Sequence, residues 1–198
     1  MINNKHKFIF VHIQKTGGSS IKYALNWDGK KQNGGEHLTV KKYEKMLKDR
    51  YKEYFVFTCI RNPWDRMVSH YFHGKRANKF KAKKFNNFNE WIKFYLTKGK
   101  KQTVEPQRYF TQYEYLINNQ KKVDIDYIMQ YENLQNDFDK LCDLLNIERR
   151  VLPHKRKSIR RKNKHYSLFY NNKNIYLVER MFKRDIEFFN YNFNDLRN

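Results

Sequence analysis

With 198 residues, the chain has room for one globular domain with a true core and too little for two comfortable ones, so a single domain over residues 1–198 is expected. Apolar residues make up 39% and aromatics 17%; the polarity therefore comes from Lys and Asn, and disorder throughout is excluded. The 42 Lys and Arg against 20 Asp and Glu give a net charge of +22, which favours polyanions, phosphorylated cofactors or acidic surfaces as partners without choosing among them.

The opening MINNKHK runs into FIFVHI, which is too short to cross a bilayer and has no small-residue cleavage site behind it. A cytoplasmic protein without a transmembrane segment is expected. Phe8 to Ile13 reads as a buried strand, QKTGGSS as a polar turn and IKYAL as the helix that follows. Residues 26–36, NWDGKKQNGGE, form a loop by composition. Thr39 then stands where it caps a helix on which Val40, Tyr43 and Leu47 recur at helical spacing.

EYFVFTCI, residues 53–60, is a second strand. RNPWDRMVSHYF follows it, with Asn62 as N-cap and Pro63 in the first helical position. Asn87 and Glu90 have the spacing of a capping box for NEWIKFYL. DYIMQY is a third strand ahead of a helix bearing Phe138, Leu141, Cys142 and Leu145, and a last helix covers about Asn174 to Phe188. Cys59 and Cys142 lie in apolar settings without metal-like spacing, as reduced core residues do.

Strands alternating with helices predict an α/β fold in three layers, a central parallel sheet with helices on both faces. Two basic stretches, 73–84 and 154–166, are longer than tight connections need and read either as binding loops or as solvated surface.

The chemistry starts at QKTGGSS. A Walker A loop needs its lysine after the last glycine, whereas Lys15 precedes Gly17 and Gly18. The physics is shared all the same: glycines let main-chain N–H groups approach an anion, a helix start adds partial positive charge, and Lys15 adds a full one. Arg61 directly follows the second strand, and Ser69 lies about two turns along the next helix, so a guanidinium and a hydroxyl are available to a phosphate. Both Lys15 and Arg61 fall at carboxyl ends of strands, where open parallel sheets bind ligands.

Together these segments resemble the nucleotide-binding signatures of sulfotransferases that use 3′-phosphoadenosine 5′-phosphosulfate (PAPS), and in particular the carbohydrate branch with its heparan 2-O-sulfotransferase-like and bacterial members. The family pattern HIxKTGGTS, which holds the 5′-phosphosulfate, is matched by His12, Ile13, Lys15, Thr16, Gly17, Gly18, Ser19 and Ser20. RNPWDRxVSxY, which holds the 3′-phosphate, is matched at Arg61 and Ser69. YENL at 131–134, EPQ at 105–107, the LPHKRKS loop and RDIEFFNYNF extend the likeness over most of the chain. One departure is Gln14, where family members commonly have a proline that stiffens the loop.

The resemblance implies a P-loop-like core, PAPS as sulfuryl donor with 3′-phosphoadenosine 5′-phosphate (PAP) as product, no metal, and a hydroxyl-bearing acceptor of carbohydrate type. It assigns Lys15 to the bridging oxygen and departing 5′-phosphate, with the N–H groups of Thr16 to Ser19 and the hydroxyls of Ser19 and Ser20 beside it. His37 becomes the general base, or else a loop histidine capping the next helix; Glu36 orients it or is itself the base. His12 falls to strand packing or loop support. Arg61 and Ser69 take the 3′-phosphate, while Arg66, which can serve as a helix-surface ion pair, is left out of the core site. From the 154–166 loop, Lys155, Arg156, Arg160 or Arg161 reach the phosphates.

Two other readings compete. A basic module with interleaved Tyr and Phe suits nucleic acid, although no specific nucleic-acid partner is expected. A nucleotide phosphotransferase is disfavoured by the misordered Walker loop and by Asp124 and Asp126 preceding a strand where a magnesium-binding aspartate follows one. His70 and His73 have metal-like spacing but no companion carboxylate or thiolate.

Overall fold

The computed structural model describes residues 1–26, 37–79, 82–97, 111–153 and 164–197. The chain divides into two compact units, Met1–Arg61 with Gln112–Arg156, and Asn62–Thr111 with Lys157–Asn198. Neither is a continuous stretch of sequence: between its second and third long strands the first unit's chain leaves to begin the second.

The first unit is built on a four-stranded sheet in the order β1 (Ile2–Asn3), β2 (Phe8–Val11), β3 (Phe55–Ile60), β4 (Tyr127–Gln130). β2, β3 and β4 run parallel, with Phe10 opposite Phe57 and Thr58 opposite Ile128. β1 pairs antiparallel with β2, which makes the sheet mixed where a purely parallel one was expected. Two residues carry too little pattern to announce a strand.

Helices flank this sheet, and both faces of its inner strands are buried. Phe8, Phe10, Phe57, Cys59 and Met129 point to one side, where Ile21 and Ala24 of α1 (Gly18–Ala24) and Phe138, Leu141 and Cys142 of α6 (Leu134–Leu144) pack on them. The Phe10 and Phe57 rings stack 5.1 Å apart. Ile9, Val11, Val56, Thr58 and Ile60 point to the other side and are also buried. This double burial explains why the strands read as continuous apolar runs rather than alternating ones. Both cysteines are free and buried, and burial pushes each thiol pKa up.

α2 (Val40–Leu47) starts at Thr39 as expected, but the Thr39 hydroxyl makes no capping bond. The residues before β3 form a 3-10 segment, Lys48–Glu53, so the strand begins two residues later than its composition implies. α5 (Gln112–Leu116) returns the chain to this unit.

The second unit is helical. α3 (Pro63–Ala77) begins as anticipated: the Asn62 side chain accepts from the N–H groups of Trp64 and Asp65, with Pro63 in the first turn. At α4 (Phe88–Thr97) Asn87 caps the first turn, with Glu90 N–H donating to Asn87 Oδ1 at 3.0 Å, while the Glu90 carboxylate accepts from Asn87 Nδ2 at 2.9 Å and from the Asn86 N–H at 3.2 Å. Trp64, Tyr71, Trp91, Tyr95, Tyr170 and Phe182 dominate the core. The single last helix expected is two, α7 (Asn172–Met181) and α8 (Lys183–Phe188), broken at Phe182, whose φ of −112° and ψ of 27° leave the helical region while its ring is fully buried. No helix among the described residues is long and apolar enough to cross a membrane.

Candidate active site

The loop between β2 and α1 is braced from inside. Lys15 and Gly17 both have left-handed backbones, φ 70° and 86°, with Thr16 between them. Alternating handedness of this kind forms the concavities in which main-chain N–H groups gather around anions. Thr16 is fully buried, and its hydroxyl donates to the Ile13 carbonyl at 3.0 Å. Its side chain is therefore a strut of the loop, and what it offers an outside anion is its N–H. Lys15 and Ser19 are half-buried, and Ser20 is buried. α1 is only seven residues long, so loop, lysine and arginine, rather than a helix dipole, supply the positive field.

Two glycines answer two different demands. At Gly17 the backbone is left-handed and a Cβ would come within 2.9 Å of Leu134 Cδ2. At Gly18 the demand is space: a Cβ would lie 2.1 Å from the His12 ring.

That His12 ring, 7% exposed, is wedged between three neighbours. It stacks on Phe10 with centroids 5.5 Å apart, abuts Gly18, and meets the His37 ring at 4.4 Å. His37 Nδ1 lies 2.9 Å from the His12 carbonyl oxygen. A carbonyl only accepts, so Nδ1 carries the proton, and Nε2 is the basic nitrogen of the neutral ring. His37 is thus held by the residue that opens the loop.

Arg61 ties the second motif to the first. It is 5% exposed, and its Nη1 donates to the Lys15 carbonyl at 3.1 Å. The guanidinium lies over the Tyr131 ring, 3.8 Å from its centroid. Its main chain is clamped by one side chain: Arg61 N–H donates to Gln112 Oε1 at 2.9 Å, and Gln112 Nε2 donates to the Arg61 carbonyl at 2.8 Å. YENL therefore serves both motifs, Tyr131 beneath Arg61 and Leu134 against Gly17. Neither Gln112 nor the part played by Tyr131 was foreseen. The YENL likeness marked the second, but no local pattern announces the first.

The remaining expected ligands fall elsewhere. Ser69 is half-buried on α3, in the second unit. Arg66 is fully buried with its guanidinium 5.9 Å from the Phe182 ring, which corrects the surface position expected for it. His70 is buried and stacks on Tyr95, whereas Arg76 Nη2 lies 3.2 Å from His73 Nδ1. Among the described residues, no three His, Cys, Asp or Glu cluster in a metal-holding arrangement. Asp126 accepts the Val56 N–H at 2.6 Å, a sheet-edge role. Glu36, Lys155, Arg156, Arg160 and Arg161, and the EPQ segment, lie outside the described residues.

Three parallel strands of a mixed sheet, with an anion-suited loop after one and a buried arginine after the next bonded back to that loop, make the α/β frame of the candidate site. A sequence model of the Sulfotransferase family matches residues 1–192, and the chain belongs to that family. Its chemistry is accordingly that of a transferase moving sulfuryl groups. An uncharacterized protein of Archaeoglobus fulgidus is 34% identical over 95 residues, 48% of this chain and 69% of that protein. The crystal structure of a sulfotransferase from Alicyclobacillus acidocaldarius superposes with a TM-score of 0.57 over 91% of this chain and 92% of that one. At 15% identity this is a likeness of fold alone.

Proposed function

We propose that the protein is a PAPS-dependent sulfotransferase that modifies a hydroxyl of a carbohydrate acceptor. The observation that supports this most directly is the bond from Arg61 Nη1 to the Lys15 carbonyl, which joins the two phosphate motifs of the resemblance in one cradle. The donor set fits the nucleotide chemically: N–H groups, hydroxyls, an ammonium and a guanidinium are what phosphate oxygens accept from.

Bound PAPS supplies an activated sulfuryl group on its 5′-phosphate and a 3′-phosphate that sets it apart from ATP. Lys15, with the loop N–H groups of Thr16 to Ser19 and the hydroxyls of Ser19 and Ser20, holds the 5′ side and stabilises negative charge gathering there. Arg61 takes the 3′-phosphate, and Ser69 is the second ligand that the resemblance gives it. His37 accepts the acceptor hydroxyl proton at Nε2, the nitrogen left basic by the Nδ1–H bond to His12. Glu36 as an orienting or alternative base, and Lys155, Arg156 and Arg160 as phosphate ligands, complete the proposal.

Transfer of label from ³⁵S-PAPS to polysaccharide acceptors, run with wild type and His37→Ala, tests this reading. Labelled product in wild type and a rate lower by about 10²- to 10⁴-fold in the variant are expected. No transfer to any hydroxyl acceptor, or full activity without the imidazole, would overturn it.

A further inference from the structure

RDIEFFNYNF at 184–193, a stretch of the resemblance that the mechanism leaves unused, runs from α8 into a segment, residues 191–197, without regular secondary structure. That segment is nevertheless fastened to the second unit at alternate residues, the spacing of an extended chain. The Asn192 carbonyl accepts from Asn62 Nδ2 at 3.0 Å, the Asn194 N–H donates to the Tyr166 hydroxyl at 2.7 Å, and the Leu196 N–H donates to Ser167 Oγ at 3.0 Å. Between the first two, the Phe193 ring meets Trp64, Tyr166 and Tyr170 in T-shaped contacts, with centroids 5.6, 5.5 and 5.7 Å away. Tyr170 in turn donates to the Trp64 carbonyl at 2.9 Å. All of these partners belong to one unit.

What the segment controls is the direction of the Asn62 amide. A carbonyl only accepts, so Asn192 faces the Nδ2 end of that amide and leaves Oδ1 toward the helix. Oδ1 accepts from the N–H groups of Trp64 at 3.1 Å and Asp65 at 3.3 Å, and so caps α3. Turned over, the same amide would set its oxygen against the Asn192 carbonyl and its NH2 against the N–H groups that start the helix. Asn62 directly follows Arg61, and Ser69 lies about two turns further along the same helix. Tyr166, whose hydroxyl lies 3.5 Å from Asn62 Nδ2, is the last residue of the basic stretch 154–166. The helix that bears Ser69 and the end of that stretch thus share one anchor.

We propose that Asn192 and Phe193 are positioning residues for recognition of the donor's 3′-phosphate: they hold the Asn62 cap, and with it the turn that follows Arg61, in the orientation that phosphate requires. This role rests on the sulfotransferase reading above.

Three variants loosen the anchor in different ways. Phe193→Ala removes the ring, whereas Tyr166→Phe keeps its ring and removes the hydroxyl that takes the Asn194 N–H. Asn62→Ser keeps a capping oxygen and loses the amide that reaches Asn192. Calorimetry well below the melting temperature reads the affinity of each for PAP and for 5′-AMP, which lacks only the 3′-phosphate, with Phe193→Leu as the conservative control. Wild type should prefer PAP. Each of the three should bind PAP about threefold or more weakly with its affinity for 5′-AMP unchanged, and Phe193→Leu should recover part of the loss. A structural role alone lowers the melting temperature and leaves the ratio of the two affinities as in wild type. That ratio, unchanged in Tyr166→Phe and Asn62→Ser, overturns the positioning role even where Phe193→Ala fails to fold. Absence of PAP binding by wild type overturns the sulfotransferase reading and the positioning role with it, whereas PAP binding by wild type with an unaltered ratio in the variants overturns the positioning role alone.

Discussion

His12 and Gly18 show how closely the loop and the proposed base depend on each other. A methyl group on Gly18 has nowhere to go except into the His12 ring, and that ring touches His37. Gly18→Ala should therefore cost about 1–3 kcal/mol of stability by overpacking and weaken PAP binding as well. Adding His12→Ala vacates the space, so thermal melts of the double variant should show less than the sum of the two single losses. Strict additivity would mean that the two residues do not share this contact. A companion prediction concerns the cysteines. Cys59 and Cys142 are fully buried with thiol pKa values pushed up, so neither should react with an aromatic disulfide reagent at neutral pH until the protein is unfolded. Rapid reaction in the native state would contradict the burial.

Between elements, the site depends on residues that bring strand ends together. Arg61 follows β3, Tyr131 follows β4, and Gln112 opens α5; the three meet although 51 residues separate Arg61 from Gln112. Tyr131→Ala removes the ring beneath the guanidinium, a contact worth about 0.5–2 kcal/mol, so PAP affinity should fall about 2- to 30-fold with the fold retained. Unchanged affinity in calorimetry would show that the stack does not position Arg61. What the sequence made legible follows from the same geometry. Asn62 with Pro63, and Asn87 with Glu90, are local devices whose partners lie within four residues, and both cap their helices. The Gln112 clamp, the break at Phe182 and the edge strand Ile2–Asn3 were missed, because each is set by partners distant in sequence or by too few residues to show a period. The phosphate motifs were visible because their glycines and lysine form one contiguous run. What stayed hidden was that Thr16 turns inward and that the His12 carbonyl fixes the tautomer of His37.

At the scale of the whole molecule, a net charge of +22 is carried by two units, each with its own core, and some of its surface carboxylates pair with neighbouring cations. The Lys7 ammonium lowers the Glu53 carboxyl pKa, Arg149 lowers that of Asp143, and Arg197 lowers that of Asp195. In each case the unfolded chain binds a proton more readily than the folded one. The stabilisation is therefore complete above the ordinary carboxylate pKa of about 4 and is lost as pH falls through the lowered folded values. All three groups are exposed, so the acid slope should be shallow and flattened by salt. Arg149→Gln/Arg197→Gln should be slightly less stable at neutral pH and should lose less on acidification; a steeper acid loss than wild type would contradict this assignment.

The central claim is that the loop around Lys15 and the arginine that follows β3 hold one doubly phosphorylated adenosine. Thermal unfolding with and without PAP tests it most directly. At about one hundred times its Kd, PAP should stabilise wild type by about 2.7 kcal/mol, a rise in Tm of about 5–10 °C for a chain of this size, and Lys15→Ala and Arg61→Ala should each abolish that rise. No rise at about millimolar PAP, or a full rise that survives Arg61→Ala, would contradict it.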